Sequence, residues 1–218
     1  MSRPSRNIDQ ILLGSGRVLY PQLGCAGLSL RQLASHAGVN VGMFHYHFQS
    51  KDNFLRTLLQ QLYDELFAQL QIVAAEPGTP LERLRHALNL LGRLMRDHGA
   101  WITRIWIDAS HGEVVAQDFL RRNARRHVLL LMTLGEQACA QGSIDPMPAL
   151  QRFSLLMGAV VAPMVVVPGA LRLGLLPAAL ARQAQADVLG DAAIAERVDR
   201  VLASLSMSIP LLEPVSHG

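Results

Sequence analysis

The sequence predicts an all-α protein of about nine helices. Three observations carry this expectation. Apolar residues recur every three or four positions along most of the chain, and no stretch alternates apolar with polar residues as a half-buried strand would. Helix start and stop residues punctuate the periodic segments. Half of the 218 residues are hydrophobic and 17% are charged, so the chain can bury a sizeable core and extended disorder is not expected.

The elements follow in order. Ile8, Ile11, Leu12, Ser15, Val18 and Leu19 share one face of a first helix, which should stop near Pro21 and Gly24. Ser29 is a suitable N-cap for a short second helix carrying Leu30, Leu33, Ala34 and Ala37, closed by Gly38. Asn40 can cap a third, Val41 to Phe48, and Ser50 a long fourth with Phe54, Leu58, Leu62, Leu66 and Leu70 on its inner side. Pro77 and Gly78 end that helix. Thr79, Pro80 and Glu82 then form a capping box with proline at the first helical position. This fifth helix should run to about His98, with Gly99 after it and a short apolar helix from Trp101 to Ser110. A long helix from Glu113 to Gln141 follows. The next should open at Asp145 and Pro146 and be kinked or broken at Pro163 and Pro168. Residues 172–190 read as a loop or loose helix, and Asp191 to Ile209 as a final amphipathic helix.

Charge is unevenly placed. The first 60 residues hold six basic side chains against Asp9 and Asp52, whereas the remainder is nearly balanced. A basic quarter on a near-neutral body suits a polyanion partner for that quarter. Cys25 and Cys139 lie far apart with no metal-ligand spacing, which points to packed thiols in a reducing cytoplasm. The N-terminal apolar run is interrupted by Asp9, Gln10 and Arg17, so no secretory signal is expected. Between Arg152 and Arg172 lie 19 uncharged residues, near the length that spans a bilayer. Two prolines and two glycines interrupt it, and arginines flank both ends; a buried helix pair in a core or dimer interface is the expectation, and no membrane partner.

Two short helices joined by Gly38, Val39 and Asn40 match a helix-turn-helix: the glycine accepts a left-handed corner, Val39 fills the angle and Asn40 restarts the chain. The second of the pair would enter a major groove, with Phe44 and Phe48 inward and His45, Tyr46 and His47 outward. Lys51 follows at a helix start, where amide groups and ammonium can hold a phosphate.

The run LSLRQLASHAGVNVGMFHYHFQSK from Leu28 to Lys51, with LYPQLG from Leu19 to Gly24 before it, resembles the DNA-binding signature of the TetR family of regulators. The resemblance covers residues 8–56. It implies that Ser29 caps the second helix and touches a phosphate. It further implies that Arg31 reads a base, guanine through O6 and N7. Val41, Gly42 and Met43 would lie where the recognition helix meets base edges, apolar residues there favouring thymine methyls, and Asn40 before them is expected to bind DNA as well. Tyr46, His47 and Lys51 correspond to phosphate-gripping positions. His45 stands where the family usually has tyrosine and is expected to contact DNA still. Cys25 replaces the usual aromatic after Gly24 and is expected to be a small buried filler.

Other constellations lead elsewhere. His45 and His47, two apart on a helix, point about 200° apart, so one ion is not easily held by both. Gly14, Ser15 and Gly16 lack the residues of a phosphate loop and read as small-residue packing. Asp108, His111 and Glu113 could suggest general-base chemistry, but no nucleophile accompanies them and a helix-end salt link is expected. The Arg121–Arg126 run reads as a solvated face paired with Asp118 and Glu136. No catalytic residue, metal site or cofactor is therefore expected. Met95, His98, Trp101, Ile105, Trp106, Asp108, Phe119 and Met132 mix apolar bulk with few polar groups, as a small-molecule site does. The resemblance puts both tryptophans in helices that line an effector cavity.

The expectation is a cytoplasmic homodimeric transcriptional regulator, a repressor released from a palindromic operator by a small-molecule effector. Residues 1–56 would form the DNA-binding head and residues 57–218 the effector-binding and dimerisation body, with residues 146–167 and 191–209 pairing across a two-fold axis. The competing reading is a membrane-attached or enzymatic helical protein in which the helix-turn-helix is incidental.

Overall fold

The computed structural model describes residues 5–206, with side chains from Ile8 onward. Among them are nine α-helices and one π turn, and no strand. Two compact units result. The first contains the chain through Gln71 together with Leu94–Val128; the second contains Ile72–Arg93 and the chain from Leu129 on.

Helix α1, Ser5–Gly27, keeps helical geometry past Pro21 and breaks at Gly24, whose φ of 67° and ψ of −171° suit glycine alone. Its inner face differs from the expected one. Leu12, Leu13, Ser15 and Tyr20 are buried, while Ile11 and Val18 face outward. Helix α2, Leu30–Ala37, has the capping box formed by Ser29 and Gln32, and ends at Gly38 with φ 67°. In α3, Val41–Phe48, the Asn40 side chain accepts the Gly42 N–H at 2.7 Å, meeting one of the donors a helix start leaves free. The Ser50 hydroxyl accepts from the Asn53 N–H ahead of α4, Lys51–Ala74. Phe54, Leu55, Leu58 and Leu59 of α4 are buried against the inner faces of α1 and α3, and Phe44, Phe48 and Phe54 form an aromatic cluster with ring centroids 5.0–5.6 Å apart. Each such side chain contributes about 1.5–3 kcal/mol on full burial.

Helix α5, Pro80–Ser110, starts at the Thr79 capping box, with the Thr79 N–H donating to Glu82 Oε2 at 2.8 Å. It runs unbroken for 31 residues, so the expected stop at Gly99 and separate helix from Trp101 do not occur. A mid-helix glycine costs about 1 kcal/mol; burial of Trp101 and Ile105 just beyond it outweighs that. Helix α6 spans Val114–Ala140.

In the second unit, α7 spans Ala149–Arg172 and begins after Pro148 rather than at Asp145. Pro163 and Pro168 each remove a backbone donor without breaking it. Residues 172–190 are more ordered than expected: α8, Ala178–Ala184, runs into a π turn, Gln185–Leu189. Helix α9, Asp191–Leu205, buries Ile194, Val198 and Leu202; the expected extension to Ile209 lies outside the described residues. Gly92 of α5 lets α9 approach closely, since a Cβ there would meet Ile194 Cγ2 at 2.7 Å.

Only 17% of the most apolar window of α7 is buried within the chain, at a mean hydropathy of 2.0. By length and composition it could cross a membrane; Leu156, Val160 and Met164 are buried, and most of the window is not.

Candidate nucleic-acid interface

The first unit presents three helix starts, each made by a local sequence device. At α2, Ser29 Oγ accepts the Gln32 N–H at 3.2 Å while the Ser29 N–H donates to Gln32 Oε1 at 3.2 Å. That occupies the serine side chain and leaves Arg31 and Ser35 exposed on the outer face. Beside Arg31, an open groove of about 600 Å³ is lined by Gln22, Gln32, Ser35 and His36 with Leu19 and Leu23. None of the four polar neighbours was singled out by spacing, because a polar residue on an outer helix face carries no periodic signal.

On α3, Phe44 is fully buried and Phe48 nearly so, which turns the intervening residues outward. Tyr46 is 74% exposed, the most exposed large hydrophobic side chain among the described residues. His45 is exposed, with Nδ1 3.3 Å from the Gln49 carbonyl, and its ring sits edge-on to Phe44. His47 is half-buried beside Tyr46, and its Nε2 is enclosed without a protein partner. Val41 and Met43 are half-buried and Gly42 is exposed at the leading turn. Lys51, at the start of α4, donates from Nζ to the Ala26 carbonyl at 3.2 Å. An ammonium has three donors, so the bond orients Lys51 across the α1–α2 corner and leaves two for an anion.

An outward row of arginine, imidazole, phenol and ammonium groups around three helix starts, on a helix-turn-helix held by an aromatic core, suits a phosphate backbone and base edges. Residues 12–58 match the family profile described as bacterial regulatory proteins, tetR family. Residues 12–58 are thus a DNA-binding domain of the TetR type. The chain is a DNA-binding transcriptional regulator rather than an enzyme. The HTH-type transcriptional repressor KstR2 of Mycolicibacterium smegmatis is 29% identical over 146 residues, which cover 66% of this chain and 71% of that protein. Among solved structures, a TetR-family regulator from Agrobacterium tumefaciens superposes with a TM-score of 0.70 at 18% identity, covering 94% of this chain and all of the other. FadR from Bacillus subtilis, crystallised with stearoyl-CoA, superposes at 0.66 and 11% identity, covering 92% and 98%. At these identities the structural likeness establishes the TetR fold.

The residues expected around an effector take different environments. Trp101 and Ile105 are buried in the core that carries the helix-turn-helix, with the Trp101 ring 4.9 Å from that of Tyr20. Asp108 is 2% exposed and its carboxylate is fully engaged: Oδ2 accepts from Tyr20 Oη at 2.9 Å and the Cys25 N–H at 2.7 Å, and Oδ1 from Arg104 Nε at 3.0 Å. Its ion-pair partner is thus Arg104, one turn back, and not His111. Burial first, then the Asp108 charge, pushes the Cys25 thiol up to about 12 and raises the Tyr20 phenol as well. Trp106 is 58% exposed. Met95 and His98 are half-buried, and Phe119 stands edge-on to Tyr63 at 5.9 Å. Met132 belongs to the second unit.

The arginine run on α6 is paired in part as expected. Asp118 takes Arg121 at 2.8 Å and Arg122 at 3.9 Å, which holds its carboxyl below the usual range. Arg126 instead reaches Asp64 at 3.5 Å and stacks 4.3 Å over the Phe67 ring; Glu136 takes no ion pair among the described residues. Nor do the described residues contain a group of three or more His, Cys, Asp or Glu able to hold a metal.

Proposed function

We propose that this chain is a cytoplasmic, homodimeric repressor of the TetR family that leaves its operator when a small-molecule effector binds. The observation that carries it is the inversion of α3: Phe44 and Phe48 locked inside, Tyr46 and His45 outside. Ser29, Tyr46, His47 and Lys51 hold phosphates, Arg31 reads a base, and Asn40, Val41, Gly42, Met43 and His45 meet the groove edge. Residues 1–56 act as the DNA-binding head and 57–218 as the effector-binding and dimerisation body.

Dimerisation uses α7. The apolar side of α9 is taken up inside the second unit, whereas Leu155, Val166 and Leu173 of the α7 side are exposed. A two-fold pairing of that stripe buries it and places two recognition helices in successive major grooves about 34 Å apart. This pairing accounts for the apolarity of α7 without a membrane.

Effector contacts are assigned to Met95, His98 and Phe119. Because α5 supplies Trp101, Ile105 and Asp108 to the core of the first unit, movement of α5 bears directly on α1. The effector need favour the non-binding state by only about 1–3 kcal/mol to weaken DNA binding 5- to 150-fold. The experiment is a gel shift on the operator, isolated from random duplex DNA, titrated with acyl-CoA thioesters and steroids. Release by one class supports the reading; binding that no metabolite pool alters overturns the effector half of it.

A further inference from the structure

Arg152 opens α7 and is 4% exposed, yet no carboxylate pairs with it among the described residues. Its Nη1 donates to Cys139 Sγ at 3.1 Å and to the Met147 carbonyl at 3.4 Å, both neutral partners; Nε and Nη2 donate to nothing described. Burying a guanidinium without a counter-charge is costly, and a second residue makes room for it. Gly135, one turn before Cys139 on α6, sits so close that a Cβ there would meet Arg152 Nε at 2.8 Å. The thiol itself is free and partly exposed, and its S–H points to the Asp145 carbonyl at 3.6 Å. A buried cation with donors left over is therefore hydrogen-bonded to the sulfur of a partly exposed cysteine.

We propose that Cys139 is a site of oxidation by hydroperoxides, with Arg152 as the positioning residue that receives the oxidised sulfur. A partly exposed cysteine whose sulfur accepts from a guanidinium is the kind that reacts selectively. The sulfur attacks the peroxide, an S–O bond forms as the O–O bond breaks, and sulfur loses two electrons. The thiol proton passes to the leaving alkoxide, so the products are Cys139 sulfenic acid and an alcohol. The guanidinium that already donates to the sulfur can donate to the new oxygen. It also ends the bond to Asp145, whose own N–H is tied to the Leu205 carbonyl at 2.8 Å, so the change is felt at the end of α9.

The test treats the full-length protein with hydrogen peroxide and dimedone and locates the adduct by peptide mass spectrometry. The expected result is labelling of Cys139, none of Cys25, and none in Cys139→Ser. Labelling in Arg152→Met should slow severalfold, with Arg152→Lys restoring part of the rate. Absence of a Cys139 adduct, or an unchanged rate in a folded Arg152→Met, overturns the proposal. Should Arg152→Met not fold, wild-type Cys139 is compared with glutathione under the same peroxide: a severalfold faster reaction supports the proposal, and an equal or slower one overturns it.

Discussion

Tyr20 Oη donates to Asp108 Oδ2 at 2.9 Å, joining residues 88 positions apart in a fully buried contact. The same oxygen accepts the Cys25 N–H just past the Gly24 break, and Arg104 closes the group by donating from Nη2 to the Leu23 carbonyl at 3.3 Å. One carboxylate thus fixes the end of α1 that leads into α2. Asp108→Ala should lower stability by about 3–5 kcal/mol, because it strands buried donors and an arginine. Tyr20→Phe should cost about 1.5–3 kcal/mol, the scale of a hydrogen bond to a charged group. Urea unfolding followed by circular dichroism measures both; an Asp108→Ala protein as stable as wild type contradicts the arrangement.

The Cys25 thiol, pushed up to about 12 by burial and by Asp108, stays protonated at pH 8. Iodoacetamide at that pH should leave it untouched in the native protein and alkylate it in urea. Native alkylation at a rate like that of a free thiol would show that the α1–α2 corner opens.

Tyr46 carries no structural duty that the contacts reveal, since it is 74% exposed. Tyr46→Ala should change stability by no more than about 0.5 kcal/mol, yet weaken binding to specific and nonspecific duplexes alike, as loss of a phosphate contact does. Arg31→Ala should behave differently, relaxing preference at one base position by about 1–3 kcal/mol. Fluorescence anisotropy on matched and mismatched duplexes separates the two, and a Tyr46→Ala effect confined to one sequence would reassign that residue to base reading.

Glu65 is held below the usual carboxylate range chiefly by its hydrogen bond to Arg17, whose Nη1 lies 2.8 Å from Oε2. A carboxyl depressed in the folded state stabilises it above the unfolded value of 4.5 and loses that contribution as pH falls through the folded value. The pair is half-exposed, so solvent screens it and the effect is small. Between pH 6 and pH 3, Glu65→Gln should show a shallower fall in Tm than wild type; parallel curves would mean that the pair contributes nothing.

What was legible in the sequence was local. Ser29, Gly38, Asn40 and Thr79 with Glu82 act on backbone groups within a few residues, and the element boundaries they mark are where the chain folds. The outward row on α3 followed from the placing of Phe44 and Phe48 alone. Where local signals misled, tertiary burial overrode them. Gly99 does not stop α5 because Trp101 and Ile105 pack beyond it, and Pro163 and Pro168 do not break α7. The inner face of α1 shifted because Tyr20 is drawn to Asp108, a partner that no spacing rule could supply. The same long-range pairing turned Asp108 from a candidate ligand contact into a clamp. Arg152 was equally invisible, since an arginine at a helix start gives no sign that it will be buried.

The central claim, that α3 reads operator DNA in a two-fold dimer, is tested most directly by selecting duplexes from a random pool with the full-length protein and footprinting the winners. The expected result is an inverted repeat with half-sites centred about 34 Å apart on one DNA face, bound by wild type and lost with Tyr46→Ala. A pool with no enriched sequence, or an enriched one that Tyr46→Ala binds as tightly as wild type, would contradict the account.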